Sequence, residues 1–188
     1  MYFLRLSKQL FLVCLMALVS LSAYAENPRV LMQTSQGDIT LELYPEKAPI
    51  TVKNFLRYVD EDFYSGIQFH RVISDFMIQA GGFDKEMQQK PGFGAIKNES
   101  QNGLSNKKAT IAMARTNDPD SATSQFFINL VDNLNLNAVG PREGYAVFGQ
   151  VIKGMDVVEK IGRVKTTTKY PFRDVPVEPI IIVSVKRL

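Results

Sequence analysis

Residues 69–79 read Phe69-His70-Arg71-Val72-Ile73-Ser74-Asp75-Phe76-Met77-Ile78-Gln79. This pattern predicts two short strands, about 67–73 and 77–80, separated by a turn. At the two-residue period of a strand, Arg71 shares a face with the apolar residues Phe69 and Ile73. A guanidinium group among apolar side chains costs free energy unless its donors are occupied. The stretch therefore holds either a buried salt bridge or the polar point of a binding site.

The first 25 residues differ from the rest of the chain. A basic start is followed by an almost wholly apolar run over residues 10–21 and then by Ala23-Tyr24-Ala25, the small-x-small pattern of a cleavage site. The apolar run is too short for a comfortable membrane span. We therefore expect residues 1–25 to be a cleaved secretory signal peptide rather than a retained anchor. Residues 26–188 would then form the exported domain.

The composition of residues 26–188 argues against several functional classes. They carry 20 basic and 19 acidic residues, a net charge of +1, which gives no support to binding of nucleic acid or anionic membranes. The only cysteine, Cys14, lies in the expected signal, so no disulfide or thiol chemistry is available after cleavage. A single histidine argues against a zinc site. Because nucleotide-binding glycine motifs and a serine nucleophile elbow are also missing, we expect no metal and no cofactor.

The rest of the chain is rich in short strands. Two apolar stripes at helical spacing predict helices over residues 49–59 and 155–161. Residues 83–106 and 163–177 are expected to be loops. Further β-prone runs occupy residues 30–33, 39–44, 110–115, 125–130, 145–152 and 179–185. This arrangement predicts a mainly β fold, an antiparallel barrel whose open ends are covered by the two helices.

Apolar and amide side chains accompany Arg71 in the sequence. They are Phe76, Met77, Gln79, Gln125 and Phe127. This set contains neither a nucleophile nor a base that titrates near neutral pH. Rotation about an X–Pro peptide bond needs neither, since its barrier of about 18–20 kcal/mol comes from the double-bond character of the amide. A donor aimed at the prolyl nitrogen and an apolar slot for the ring would lower that barrier. The residues alone make isomerisation one possibility among several.

Ordered motifs along the chain resemble the cyclophilin family of peptidyl-prolyl cis-trans isomerases. The motifs are Phe69-His70-Arg71-Val72-Ile73 with Phe76-Met77-Ile78-Gln79-Ala80-Gly81-Gly82, Ala112-Met113-Ala114-Arg115, Ser124-Gln125-Phe126-Phe127-Ile128, and Tyr145-Ala146-Val147-Phe148-Gly149 followed by Gly154-Met155. The resemblance covers residues 30–185, and with the export signal it points to the periplasmic cyclophilins of Gram-negative bacteria. It implies a closed eight-stranded antiparallel β-barrel capped by two α-helices, and a periplasmic enzyme that assists folding of exported proteins.

The same resemblance implies roles for individual residues. Arg71 would be the catalytic arginine, and Gln79 would orient it and bind substrate, with Gln125 alongside. The backbone of Arg115, following Ala114, would pair with an extended peptide. His70 is expected to be structural. The proline pocket would be formed by Phe76, Met77, Phe127 and Leu136, with Tyr145 standing where many relatives have a histidine.

Two functions stay open at this point. The first is a true isomerase, and the second is a proline-binding chaperone or adaptor of the same fold with little turnover. Intact Arg71, Phe76, Gln79 and Phe127 favour the isomerase. A barrel that stores a small apolar ligand is disfavoured because the groove residues include a charged donor and two amides.

The expected partners follow from these functions. They are proline-containing polypeptides, unfolded or partly folded, with no nucleic acid and no stable membrane association after signal cleavage. A monomer is the default state. Cyclosporin binding is expected to be weak, because the chain has no tryptophan and Asn135 falls where strongly binding relatives carry one.

Overall fold

The computed structural model describes residues 26–188, so the expected signal peptide lies outside the described part of the chain. Within residues 26–188 the chain forms ten strands and two α-helices. In chain order they are β1 (Arg29–Thr34), β2 (Gly37–Leu43), α1 (Pro49–Asp60), β3 (Arg71–Ile73), β4 (Met77–Ala80), β5 (Thr110–Met113), β6 (Phe126–Asn129), β7 (Val147–Lys153), α2 (Met155–Gly162), β8 (Thr166–Lys169), β9 (Phe172–Pro176) and β10 (Ile182–Arg187). Short 3-10 helices occupy Pro119–Ser121 and Leu134–Leu136. The prediction of a mainly β fold with two helices is confirmed.

Eight strands form one antiparallel sheet in the order β10-β1-β2-β7-β5-β6-β4-β3. The expected closure into a barrel is wrong, because β3 and β10 are edge strands and no ladder joins them. Strand β3 begins only at Arg71, four residues later than predicted. The residues before β3 pair with two different segments, since Ile67 bridges to Asp84 and Gln68 bridges to Ile181. The chain before β3 meets residues 180–182 only through isolated backbone bonds, so no ladder joins β3 to β10 and the sheet stays open.

Residues 163–177, predicted as a loop, instead contain the two-stranded hairpin β8–β9. All four residues of β8 are exposed, so this strand shows no alternation of apolar and polar side chains. Only Val175 and Pro176 of β9 are buried. A strand that contributes no residue to the core lacks the pattern by which strands are read from sequence.

The two faces of the sheet carry different apolar clusters. The main core lies between the sheet and both helices, and includes Phe55 and Tyr58 of α1 and Ile161 of α2, all fully buried. Phe126 points into this core, whereas Phe127 belongs to a second cluster on the opposite face, as the two-residue period of a strand requires. That second cluster comprises Met77, Ala112, Phe127 and Val147, one residue from each of four adjacent strands.

The long segment 83–106 reaches the start of α1. Helix α1 begins at Pro49, which suits a first helical position. Its N-terminal amides on Ile50 and Thr51 donate to the carboxylate of Glu99 at 3.0 and 2.8 Å, which satisfies groups that a helix leaves unpaired. None of the helices in residues 26–188 is long and apolar enough to cross a membrane.

Candidate active site

A cavity of about 180 Å³ opens on the outer face of the sheet, beside the second apolar cluster. Strands β3, β4 and β6 and the segments that follow β5 and β6 supply its walls. The lining residues are Arg71, Phe76, Met77, Gln79, Ala114, Arg115, Phe127, Leu136 and Tyr145. The structure thus brings together nine of the ten residues that the sequence singled out, and places the tenth, Gln125, next to them.

Arg71 lies at the rim of this cavity. Its side chain is 43% exposed, so the alternative of a buried salt bridge does not apply. The predicted face shared with Phe69 is wrong, because Phe69 precedes β3 and is fully buried in the main core with Val72. The nearest acidic group is Asp174 of β9, whose Oδ2 lies 3.8 Å from Nε of Arg71. This distance is an ionic contact rather than a hydrogen bond.

The apolar walls come from three separate parts of the chain. Met77 of β4 and Phe127 of β6 are 2% and 4% exposed and form the floor. Leu136, in the 3-10 helix, and Phe76, in the turn before β4, close the sides. Tyr145 packs edge-on against Phe127, with ring centroids 5.5 Å apart. The result is a small apolar slot with one guanidinium group at its edge.

Two glutamine amides form one unit beside the slot. Nε2 of Gln79 donates to Oε1 of Gln125 at 2.9 Å. Gln79 lies directly opposite Arg71 in the register of β3 and β4. No hydrogen bond joins Gln79 to Arg71 among the described residues, so the Gln79 amide is held by Gln125 and not by the guanidinium.

Arg115 also lines the cavity, and its side chain is held by three backbone carbonyls. Nε donates to Gly144 at 3.1 Å, Nη1 to Thr116 at 2.8 Å and Nη2 to Glu143 at 3.0 Å. Its guanidinium carbon lies 4.7 Å from the ring centroid of Tyr145, a cation–π contact. The backbone N–H and carbonyl of Arg115 form no hydrogen bond within residues 26–188. Both groups are therefore free to pair with an extended chain laid along the cavity.

Buried asparagines behind the cavity were not recognised from the sequence. Asn133 donates from Nδ2 to the carbonyl of Phe76 at 2.8 Å and to Oδ1 of Asn129 at 2.7 Å. Asn106 donates to Oδ1 of Asn137 and to the carbonyl of Tyr145, and it accepts from Asn129. These amides connect the segments that carry three walls of the cavity. Asn129 lies in the β-prone run 125–130, whereas Asn106 and Asn133 fall in polar stretches outside the predicted strands, where no periodicity marks an asparagine as buried.

His70 directly precedes Arg71 in the chain, but it does not line the cavity. Its ring is 5% exposed and packs on Phe83, with ring centroids 4.7 Å apart. Burial, assisted by the positive charge of Arg71, lowers the pKa of His70 to about 4. The imidazole is neutral at neutral pH, in keeping with the structural role expected of it.

A larger cavity, about 830 Å³, lies over α1 and contains none of the ten predicted residues. It is lined mainly by prolines, apolar residues and surface charges, including Pro45, Ile50, Arg57 and Asp60. Size alone does not define a reactive site. The smaller cavity combines an apolar slot with a convergent charged donor and unpaired backbone groups, which is the arrangement expected of a binding site.

A family model, described as cyclophilin type peptidyl-prolyl cis-trans isomerase/CLD, matches residues 29–187. The chain therefore belongs to the cyclophilin family of peptidyl-prolyl cis-trans isomerases, which are enzymes.

Its relatives include several bacterial proteins. The chain is 56% identical to a peptidyl-prolyl cis-trans isomerase of Acinetobacter baylyi, over 90% of this chain and 89% of that protein. It is 49% identical to peptidyl-prolyl cis-trans isomerase A of Dickeya dadantii, over 93% and 95% of the two chains. A crystal structure of a Cryptosporidium parvum cyclophilin type isomerase has the same fold, with a TM-score of 0.72 at 24% identity over 86% of this chain and 98% of that one.

Proposed function

We propose that this chain accelerates cis–trans isomerisation of X–Pro bonds in exported proteins, with Arg71 as the group that acts on the reacting amide. One observation carries the proposal: a half-exposed guanidinium stands at the rim of an apolar slot formed by Phe76, Met77, Phe127 and Leu136. The family to which the chain belongs supports the reaction type.

The mechanism follows from how a prolyl amide loses its resonance. The pyrrolidine ring would enter the apolar slot, and the flanking chain would pair with the free backbone groups of Arg115. As the bond twists, the prolyl nitrogen becomes pyramidal and its lone pair is no longer shared with the carbonyl, so that it can accept a hydrogen bond from an N–H of Arg71. That hydrogen bond is stronger in the twisted state than in either planar isomer, which is the condition for catalysis.

The required stabilisation is modest for such a site. Uncatalysed exchange takes roughly 10–100 s, and each ~1.36 kcal/mol removed from the barrier gives a tenfold gain in rate. Stabilising the twisted state by on the order of 7 kcal/mol would bring turnover to the millisecond scale. A charged donor at the edge of an apolar slot, together with contacts to the ring, is a sufficient source.

We further propose that the protein works in the periplasm on unfolded or partly folded chains. The support is the signal-like composition of residues 1–25, followed by a domain without cysteine. Mass spectrometry of the protein purified from a periplasmic extract would test this, with a mature N-terminus at Glu26 as the expected result. Recovery of the full-length chain from the cytoplasm would contradict it.

An NMR exchange assay on a proline-containing peptide, without a coupled protease, tests the activity. Wild-type protein should increase the exchange rate, and Arg71→Ala should lower kcat/KM at least about tenfold while the fold is retained. Arg163→Ala is the matched control, because it removes the same side chain from an exposed position, 76% accessible, that does not line the cavity. Arg163→Ala should equal wild type.

The outcome also separates the two functions that the sequence leaves open. If wild type shows no exchange enhancement, the proline-binding chaperone or adaptor becomes the better description. Suppression of client aggregation should then survive Arg71→Ala. If wild type is active and Arg71→Ala matches it, the role proposed for the guanidinium is wrong.

Weak cyclosporin binding is part of the same proposal. Asn135 is exposed in the 3-10 helix and does not line the cavity, whereas its neighbour Leu136 does. No indole is therefore available at this rim to pack on a ligand or donate to it. Calorimetric titration should show binding that is weak compared with the same protein carrying Asn135→Trp.

A further inference from the structure

Arg71 separates two cavities. On one side is the proline slot, and on the other is a cavity of about 470 Å³ against the β8–β9 hairpin. Asp174 of that hairpin contributes the acidic group of this second cavity, and its carboxylate approaches Arg71 at Nε. Both side chains are about two-fifths exposed, at 43% and 42%. The guanidinium is thus drawn by a fixed negative charge on the side away from the slot.

The hairpin that carries Asp174 is held against the sheet by a series of aromatic contacts. The Phe172 ring packs edge-on against Phe83, with centroids 4.9 Å apart, and Phe83 packs on His70 at 4.7 Å. His70 directly precedes Arg71 in the chain. Asp174 itself has a φ of 59°, in the left-handed region, and is followed by the fully buried Val175. The carboxylate is therefore carried by a segment that packs against the rest of the protein through Phe172 before it and Val175 after it.

The contact leaves the other end of the guanidinium unoccupied. Asp174 lies nearest to Nε, and no hydrogen bond joins Arg71 Nη1 or Nη2 to any residue in the described part of the chain. An arginine side chain has four rotatable bonds and loses considerable freedom when it is held in one orientation. A carboxylate placed at Nε restricts these orientations without taking up the donors that a substrate needs.

We propose that Asp174 is a positioning residue that holds Arg71 with its Nη atoms directed at the proline slot. Gln79 does not fill this role in the structure, because its amide is bonded to Gln125. The inference rests on the proposed isomerase function and deepens it. It assigns to the β8–β9 hairpin, absent from the sequence prediction, a part in catalysis exerted through Arg71.

Asp174→Asn is the variant that tests the proposal. Asparagine has the same shape and tolerates the left-handed conformation, so the substitution removes the charge without straining the hairpin. Because exposed ion pairs are weak, we expect kcat/KM in the exchange assay to fall about two- to fivefold. The fall should appear mainly in kcat, with KM little changed, since Arg71 acts on the twisted state. Thermal unfolding should be unchanged.

Asp62→Asn provides a matched control. Asp62 is exposed, has a φ of 47° and lines neither cavity. Asp62→Asn therefore makes the same chemical change in the same backbone conformation, but away from Arg71. It should leave kcat and KM unchanged. Measuring kcat at increasing salt concentration gives a second readout, because salt screens the attraction between Asp174 and Arg71. The kcat values of wild type and Asp174→Asn should converge as ionic strength approaches 1 M.

A double-mutant cycle shows whether Asp174 acts through Arg71. In the Arg71→Ala background, measured at raised enzyme concentration, Asp174→Asn should have no further effect. An equal fall in that background, or a kcat for Asp174→Asn that equals or exceeds wild type, would overturn the proposal. These results differ from a failure of the proposed function itself, in which wild type would show no exchange enhancement.

Discussion

Replacing Asn133 by alanine removes an amide that connects two walls of the cavity. Nδ2 of Asn133 donates to the carbonyl of Phe76 at 2.8 Å and to Oδ1 of Asn129 at 2.7 Å. Asn129 is fully buried, and this is the bond that satisfies its side-chain oxygen among the described residues. The Phe76 carbonyl also accepts from the N–H of Leu130 at 3.0 Å, so it keeps one partner after the substitution.

The cost in stability follows from these two bonds. Leaving the Asn129 oxygen buried without a donor costs about 1–3 kcal/mol, and losing the bond to Phe76, which keeps a second donor, costs about 1 kcal/mol more. We therefore expect Asn133→Ala to lower the free energy of unfolding by about 2–4 kcal/mol. Because the Phe76 and Leu136 walls lose their connection, kcat/KM for a proline peptide should fall as well.

Equilibrium unfolding in urea measures the loss. With a denaturant slope of about 2 kcal/mol per M, the midpoint should fall by about 1–2 M. Asn135→Ala, two residues along the chain, is the matched control, because Asn135 is exposed. It should change stability by less than about 0.5 kcal/mol. A loss for Asn133→Ala no larger than that of the control would refute the argument that buried asparagines hold the site together.

Two further predictions follow from the neighbourhood of the site. The folded-state pKa of His70, about 4, lies below its ordinary value of 6.5, so the unfolded chain binds the proton first and stability falls as pH drops from 6.5 towards 4. Between pH 6.5 and 4 the free energy of unfolding should fall about 3 kcal/mol further in wild type than in His70→Phe, as measured by unfolding at a series of pH values. Parallel curves of stability against pH would contradict this prediction. In Gly82→Ala the new methyl group would lie 2.6 Å from Nε2 of Gln125 and displace its amide from Gln79. Exchange kinetics should show KM raised up to about fivefold with the fold retained, and Gly94→Ala, where nothing lies within 4 Å, should equal wild type.

The candidate site was predictable to the extent that its residues lie in regular strands with clear apolar patterns. Residues 77–80 and 126–129 alternate between the main core and the outer face, so Met77, Gln79 and Phe127 could be placed on one side of the sheet. The exclusion of nucleophiles, metals and nucleotides came from composition. The reaction type itself came from the family motifs, since the residues alone left several possibilities open.

The roles of Asp174 and Asn133 could not be predicted in this way. Asp174 lies 103 positions after Arg71 in the chain, in a hairpin whose exposed strand gives no apolar period. Asn133 is buried because both of its side-chain donors find oxygen partners, and this depends on the separate segments that supply Phe76 and Asn129. Spacing along the chain contains no information on such pairs.

The sequence by itself determined that Met77, Gln79 and Phe127 lie on one face of the sheet, because side-chain direction in a strand follows from the two-residue period and from the need to bury apolar groups. Only the tertiary structure decided how Arg71 is held. Its environment depends on the short open edge strand β3 and on the β8–β9 hairpin that folds back beside it. A guanidinium predicted among apolar neighbours therefore stands half-exposed between the apolar slot and a carboxylate. Contacts of this kind are set by which distant segments meet, and local patterning does not encode them.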